Sequence, residues 1–450
     1  MNDQAYVPHL PVFKAIQKAI GYKAPFLENT AFICTQHELA TTINLFETLI
    51  DLGAIPENIY LMGKYYSSCE AVVKKLIELG IKRQPHSIPS KVGDFANTFK
   101  TDLKKMWEKF SADSIHSFIK RIIILDDGGR CLSTAPSFLH SKYPIIGIEQ
   151  TTGGLNNPEI VNLPFGLIEV ASSAAKLWLE SPLIANAAIT EPLNKILQSN
   201  NKDNVIYGVI GTGYIGMAII KKLLSLGYEV IGYDKNQTRA CEFNRFKWGK
   251  NVEDVINKAT YIFGCTGFDI TDSMDFDSII NEDKVFISCA SEDREFLTLL
   301  KLTQAQSPEK YKLHELKSVF YQTKKGFTIE ILRSGFPITF NGHPQPAPAV
   351  DIQLTQGLLL CALLQANFML PLHAEENKKE RIMLDPAVQS FICHSWAKTQ
   401  PKGRYAEDLL KRFDDQQWVL EHSGGKYYKN IYLTKYFLEK ENFNESIIAE

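Results

Sequence analysis

Short apolar runs alternate with segments of helical period along most of the chain, which is the pattern of an α/β protein with parallel strands. The runs at 30–34, 58–62, 121–125 and 144–148 are apolar on both faces, so they predict central strands covered by helices on either side. Between them, apolar residues at helical spacing (Leu39, Ile43, Leu45, Leu49, Ile50) predict a helix over 37–52, and a second is expected over 69–80. A further helix, rich in Ala and Leu, is expected over 165–179. A second strand series follows at 205–210, 229–233, 260–264 and 284–288, with a hairpin pairing 326–331 with 337–341.

Two interruptions divide this rhythm. The polar stretch from Gln198 to Asn204 reads as a surface connection, and Gly342-His343-Pro344 marks a second break. The apolar helix expected over 350–367 has no place in the second series and should return to the first. The expected organisation is therefore a substrate-type α/β domain over 1–198 completed by 345–398, a nucleotide-binding domain over 199–344, and a charged, aromatic extension over 399–450.

At 450 residues the chain is long enough for two or three domains without staples. A net charge of −2 gives no field that would draw it to nucleic acid or an anionic membrane, so a small-molecule partner is expected. Eight cysteines lie scattered with no paired spacing, and no His, Cys and carboxylate grouping has metal-site spacing, so neither a disulfide framework nor a metal is expected. The longest apolar run, from Gly357 to Leu364, falls short of the roughly 18 residues of a membrane span. With no basic and apolar leader at the N-terminus, a cytoplasmic location is the expectation.

The most specific chemical signal is Gly211-Thr212-Gly213-Tyr214-Ile215-Gly216, which ends one predicted strand and opens a predicted helix. There the first glycine permits a tight turn, the second lets backbone approach a pyrophosphate, and the third lets helix pack on strand. The next strand ends at Asp234, eighteen residues after Gly216, where a carboxylate accepts hydrogen bonds from the adenine ribose. This combination predicts NAD as cofactor. The acid repels a 2′-phosphate, while Lys235 and Arg239 nearby soften that preference against NADP.

Several segments in order resemble the S-adenosylhomocysteine hydrolase family. They are Cys34-Thr-Gln-His37 with Asn44-Leu-Phe-Glu-Thr-Leu-Ile-Asp-Leu-Gly-Ala54, the turn Ile124-Leu-Asp-Asp-Gly-Gly129, the loop Glu149-Gln-Thr-Thr-Gly153, the glycine-rich turn, Thr266-Gly267 with Asp269-Ile270, and Gly342-His-Pro344. The resemblance implies a Rossmann-type NAD-binding domain inserted in a second, Rossmann-like substrate domain, with a homo-oligomer and a nucleoside-like ligand. It also implies that Thr151 and Thr152 contact the nicotinamide end of NAD, and that Thr266 and Gly267 belong to the cofactor site.

The family's catalytic set is largely replaced. Arg130 stands where the family has an aspartate after the two glycines, Gln150 replaces a ribose-binding glutamate, and Ser291 replaces a histidine. Leu193 and Lys195 fall at a lysine and an aspartate, or Lys195 at the lysine if the short alignment shifts. His37 and His343 are retained. Three readings follow: a diverged, NAD-binding regulatory relative; an NAD-dependent oxidoreductase on another small substrate, using His37, Arg130, His343 and either Lys195 or Asp127; or a hydrolase with displaced catalytic residues. His37 capping a helix, His343 bonding turn backbone, and Asp126 and Asp127 as turn formers are the corresponding structural roles.

Overall fold

The computed structural model describes residues 7–21, 24, 27–113, 118–198, 205–236, 245–308, 315–373, 379–401 and 407–428. Side chains of 191–198, 371–373 and 407 lie outside that description, as do Arg239, Cys241 and most of the aromatic tail. Fourteen strands form among the described residues: β1 Thr30–Glu38, β2 Ile59–Ser68, β3 Lys82–Gln84, β4 Arg121–Asp126, β5 Ile145–Glu149, β6 Gly166–Glu169, β7 Ile206–Ile210, β8 Glu229–Tyr233, β9 Lys247–Trp248, β10 Tyr261–Gly264, β11 Lys284–Ser288, β12 Val319–Gln322, β13 Thr328–Ile331 and β14 Arg381–Met383.

They make two seven-stranded sheets, one in each of two compact units. The first unit holds 1–86, 100–180 and 342–450, and the second holds 87–99 and 181–341. The helix Ser181–Gln198 and the segment 87–99 thus fall with the second unit, whereas a boundary near 198 was expected from the polar stretch. Helix Ser181–Gln198 packs on Tyr214–Ser225, the helix that leaves the glycine turn, and its Ala185, Ala188 and Ile189 join that unit's core.

In the first unit the order is β3-β2-β1-β4-β5-β6-β14, all parallel. Ala31, Phe32, Ile33 and Cys34 of β1 are all buried, as the doubly apolar pattern requires of a strand with helices on both faces. β1 and β2 each run several residues beyond their apolar runs, which carries His37, Lys64 and Ser67 onto strand ends. The helix after β1 begins only at Ala40, so His37 is not a helix cap.

Two expectations fail locally. Residues 166–169 form β6 rather than part of a helix, because a run as short as Leu167-Ile168 carries no period and its place is decided by pairing with β5 and β14. The hairpin joins β12 to β13, and 337–341 is not a strand: left-handed backbone at Arg333, Ser334 and Gly335 turns the chain away after β13.

Helix Ala349–His373 packs on Ala40–Asp51 and beneath β4 and β5. Its Ala349–Leu370 stretch is long and apolar enough to cross a membrane by length and composition, and 89% of the qualifying window is buried inside the protein. Counting only the uninterrupted apolar run missed this length, since Gln365 and Asn367 are themselves buried and, in the case of Gln365, bonded to Met383 O and Asp385 N.

The second unit has the order β9-β8-β7-β10-β11-β13-β12, parallel except for β12. From β7 the chain steps outward to β8 and β9, then crosses to β10 on the other side. This reversal is the Rossmann-type topology, and it opens a crevice at the carboxyl ends of β7 and β10.

Candidate functional site

The glycine turn lies at that crevice. Gly211 follows β7 with φ +91°, and a Cβ there would stand 2.8 Å from the Cys265 backbone at the end of β10. At Gly216 a Cβ would overlap the Gly211 carbonyl oxygen, so helix Tyr214–Ser225 can pack this closely only on glycine. Gly213 differs: its φ of −65° and ψ of −170° are open to any residue. No side chain caps the twelve-residue helix it precedes, which leaves the N-terminal amides and the positive end of the helix dipole to face an anion.

Asp234, just after β8, accepts the Thr212 N–H at 2.7 Å and the Thr212 hydroxyl at 3.2 Å through Oδ2, and the Asn236 N–H at 2.9 Å through Oδ1. The carboxylate is thereby oriented beside the turn. Lys235 lies with its ammonium 5.1 Å from the Phe268 ring centre. Tyr214 is exposed at the first turn of the helix, and Ile215 packs on the core cluster around Val209 and Ile219.

Thr266 and Gly267 follow β10 on the facing side of the crevice. Their amides donate to Glu295, at 2.7 Å each, and the Thr266 hydroxyl donates to the same carboxylate at 2.8 Å. Burial pushes Glu295 up to about 7 despite these donors. The backbone donors of this turn are therefore satisfied within the protein.

A second polar cluster occupies the carboxyl ends of β1, β2, β4 and β5 in the first unit. Asp127, after β4, is buried and receives the Lys64 ammonium, the Gln150 amide and, at 3.0 Å, His37 Nε2. Burial pushes its carboxyl up, but the Lys64 and His37 charges and hydrogen bonds outweigh it and hold Asp127 far below the ordinary carboxylate range. Gln36 donates to Gln150 at 2.9 Å, and His37 Nδ1 lies 2.6 Å from Ser67 Oγ. At the rim, Arg83 clamps the buried Glu38 with bonds of 2.5 and 2.9 Å.

Here the turn Gly128-Gly129 presents two amides, as a phosphate loop would, yet both donate to the buried Glu149, at 3.0 and 2.8 Å. The Thr151 N–H and hydroxyl donate to it as well, at 2.8 and 2.6 Å. Burial and the neighbouring Asp126 push Glu149 up. A carboxylate of the chain thus fills the position an anion would take.

The remaining candidates scatter. Thr151 also caps a short helix by accepting the Gly154 N–H, and Thr152 is exposed in that helix. Arg130 opens the helix Arg130–Ser133, where its charge acts on Glu159 alongside Lys100. His343 is exposed in its turn, with Nδ1 accepting the Gln345 N–H at 3.0 Å. Lys195 lies in helix Ser181–Gln198, its side chain outside the described residues. Among the described residues, no group of three or more His, Cys, Asp and Glu is placed to hold a metal.

Residues 206–292 match the family model described as NADP oxidoreductase, coenzyme F420-dependent. The chain is 29% identical over 353 residues to two curated sequences, each described as an uncharacterized protein, from Mycobacterium tuberculosis strains CDC 1551 / Oshkosh and ATCC 25618 / H37Rv. That match covers 76% of this chain and 65% of each relative, so the chain spans about two thirds of their length. Among solved structures, an NADPH-dependent glyoxylate/hydroxypyruvate reductase from Sinorhizobium meliloti is similar at a TM-score of 0.38 and 11% identity, covering 74% of this chain and 93% of that one. A D-isomer specific 2-hydroxyacid dehydrogenase from Lactobacillus delbrueckii ssp. bulgaricus is similar at 0.32 and 12%, covering 76% and 97%. Likeness this slight transfers neither substrate nor mechanism.

Sequence reasoning missed Lys64, Ser67 and Glu295. Lys64 lies two residues past the apolar run 58–62, and only the continuation of β2 makes it a buried ammonium that requires an acid partner. Ser67 and Glu295 gave no signal, because their partners lie 30 and 29 or 28 residues away in sequence.

Proposed function

We propose that the second unit binds a nicotinamide dinucleotide, NAD in preference to NADP, as the cofactor of an oxidoreductase acting on a small molecule. The observation that carries this reading is Asp234 bonded to Thr212, which sets an acid at the end of β8 against an uncapped glycine turn at the end of β7. In that arrangement the helix amides take the pyrophosphate and the carboxylate takes the adenine ribose hydroxyls. The match of 206–292 to an oxidoreductase family model supports the same class. Bound there, the cofactor would supply hydride transfer; the chain's own groups bind and orient it.

The resemblance to S-adenosylhomocysteine hydrolase enters as ancestry rather than activity. Arg130 and Gln150 stand where that family's acids stand, and a guanidinium and an amide replace neither a base nor an anionic clamp. Gln150 instead bonds Asp127, in a network the chain has built around Lys64. We infer a diverged member without the hydrolytic reaction.

The test is to denature purified protein and assay the released nucleotide, then titrate the emptied protein with NADH and NADPH. Tighter binding of NADH is expected; failure of both nucleotides to bind refutes the reading. Incubation with S-adenosylhomocysteine, and with adenosine plus homocysteine, is expected to give no turnover.

A further inference from the structure

Ser67, His37 and Asp127 lie in one line of hydrogen bonds in the first unit, at the carboxyl ends of β2, β1 and β4. The buried Lys64 ammonium holds Asp127 ionised. In the neutral imidazole, an ionised carboxylate 3.0 Å from His37 Nε2 selects the tautomer protonated on that nitrogen, which leaves Nδ1 as an acceptor. The Ser67 hydroxyl has two acceptors in reach, His37 Nδ1 at 2.6 Å and the Lys64 carbonyl at 3.4 Å, and the shorter takes its hydrogen. The result is a hydroxyl bonded to a base that is oriented by a buried acid, with the imidazole turned end for end relative to the usual serine hydrolase arrangement.

Placement supports a chemical role for this line. The strand order of the first unit reverses between β1 and β4, and ligands of open α/β sheets bind where it does. The His37 side chain is 21% exposed, that of Asp127 1%, and Ser67 is buried, so the line is reached past the base and closed at the acid. We propose that Ser67 is a nucleophile, activated by His37 and oriented through Asp127, for acyl transfer from a carboxylic ester or thioester. Ser67 Oγ bonds to the acyl carbon as its proton passes to His37 Nδ1. The proton then goes to the departing alkoxide or thiolate as the C–O or C–S bond breaks. Water attacks next, gives a proton to His37, and releases the carboxylic acid as Ser67 regains its hydrogen. This site is independent of the dinucleotide reading.

The experiment uses a fluorophosphonate probe on the full chain, followed by peptide mapping. Attack by Ser67 forms an Oγ–P bond and expels fluoride, while His37 takes the serine proton. One label per chain is expected on Ser67, absent from Ser67→Ala and from urea-denatured protein, and slowed about a hundredfold or more in His37→Gln. Ser68 is an internal control, since its hydroxyl donates to the Lys64 carbonyl at 2.9 Å and not to His37. No label on folded wild-type protein, a label on Ser68 instead, or labelling that proceeds equally in a folded His37→Gln overturns the proposal. Mapping on wild-type protein decides the matter even if a variant does not fold.

Discussion

Asp234 accepts the Thr212 amide at 2.7 Å, so the acid that ends β8 is fastened to the turn that ends β7. One carboxylate therefore orders the turn and presents negative charge where an adenosine ribose would lie. That double duty separates the consequences of changing it: removing the charge alters nucleotide choice, and removing the acceptor loosens the turn.

Asp234→Ser keeps a short acceptor and deletes the charge. NADH affinity is expected to fall about tenfold, a loss of about 1.4 kcal/mol, and NADPH affinity to rise until the two converge. Fluorescence titration with each nucleotide measures the ratio. An unchanged preference for NADH would remove Asp234 from the ribose site.

The turn glycines make a sharper pair. At Gly213 the backbone conformation suits any residue, so Gly213→Ala is expected to change folding stability by less than about 1 kcal/mol while weakening dinucleotide binding at least about tenfold. At Gly216 a Cβ would overlap the Gly211 carbonyl, so Gly216→Ala is expected to lower stability by about 1–3 kcal/mol even without ligand. Thermal unfolding beside binding isotherms tells the two apart. Equal effects of both changes on stability would mean that Gly213 serves the fold and not a ligand.

The contrast explains what could be read before the fold was known. The glycine turn and Asp234 sit within 24 residues, from 211 to 234, and their spacing is fixed by one strand, one helix and a second strand, so sequence carries them. Partners brought together by sheet order leave no such trace. Lys64 and Asp127 lie 63 residues apart, and Gln36 and Gln150 are 114 apart. Residues assigned by resemblance alone also carry local bonds that sequence does not announce: Thr151 caps a short helix, and the amides of Thr266 and Gly267 donate to Glu295. His37 keeps its place at the end of β1, but the serine beside it becomes visible only when β2 is seen to continue to Ser68.

Lys64 and Asp127 are both buried, so each neutralises a charge that water cannot reach. Lys64→Met strands the carboxylate, and a loss of about 3–5 kcal/mol in unfolding free energy is expected. Combining it with Asp127→Asn removes the stranded charge, and the double variant is expected to be more stable than the sum of the single losses by at least about 1 kcal/mol. Denaturant unfolding of the four proteins completes the cycle. Simple additivity would show that the pair is not coupled.

Glu295 gives the second unit a pH dependence of definite sign. Burial raises its carboxyl from the ordinary 4.5 to about 7, and Asp293, which accepts the Gly93 amide at 2.9 Å, is raised likewise to about 6. Between the ordinary and raised values the folded chain holds protons that the unfolded chain has released, so stability falls as pH climbs through that interval. For Glu295 the interval runs from 4.5 to about 7, and its full contribution is up to about 3 kcal/mol, with no further loss above it. Glu295→Gln cannot titrate. Its stability at low pH is expected to drop, because an amide has one acceptor for the donors of Thr266 and Gly267, while the decline between pH 5 and 7 becomes shallower than in wild type. Unfolding curves at half-unit steps across that range measure both slopes. Parallel slopes would place the proton on some other group and leave Glu295 ionised throughout.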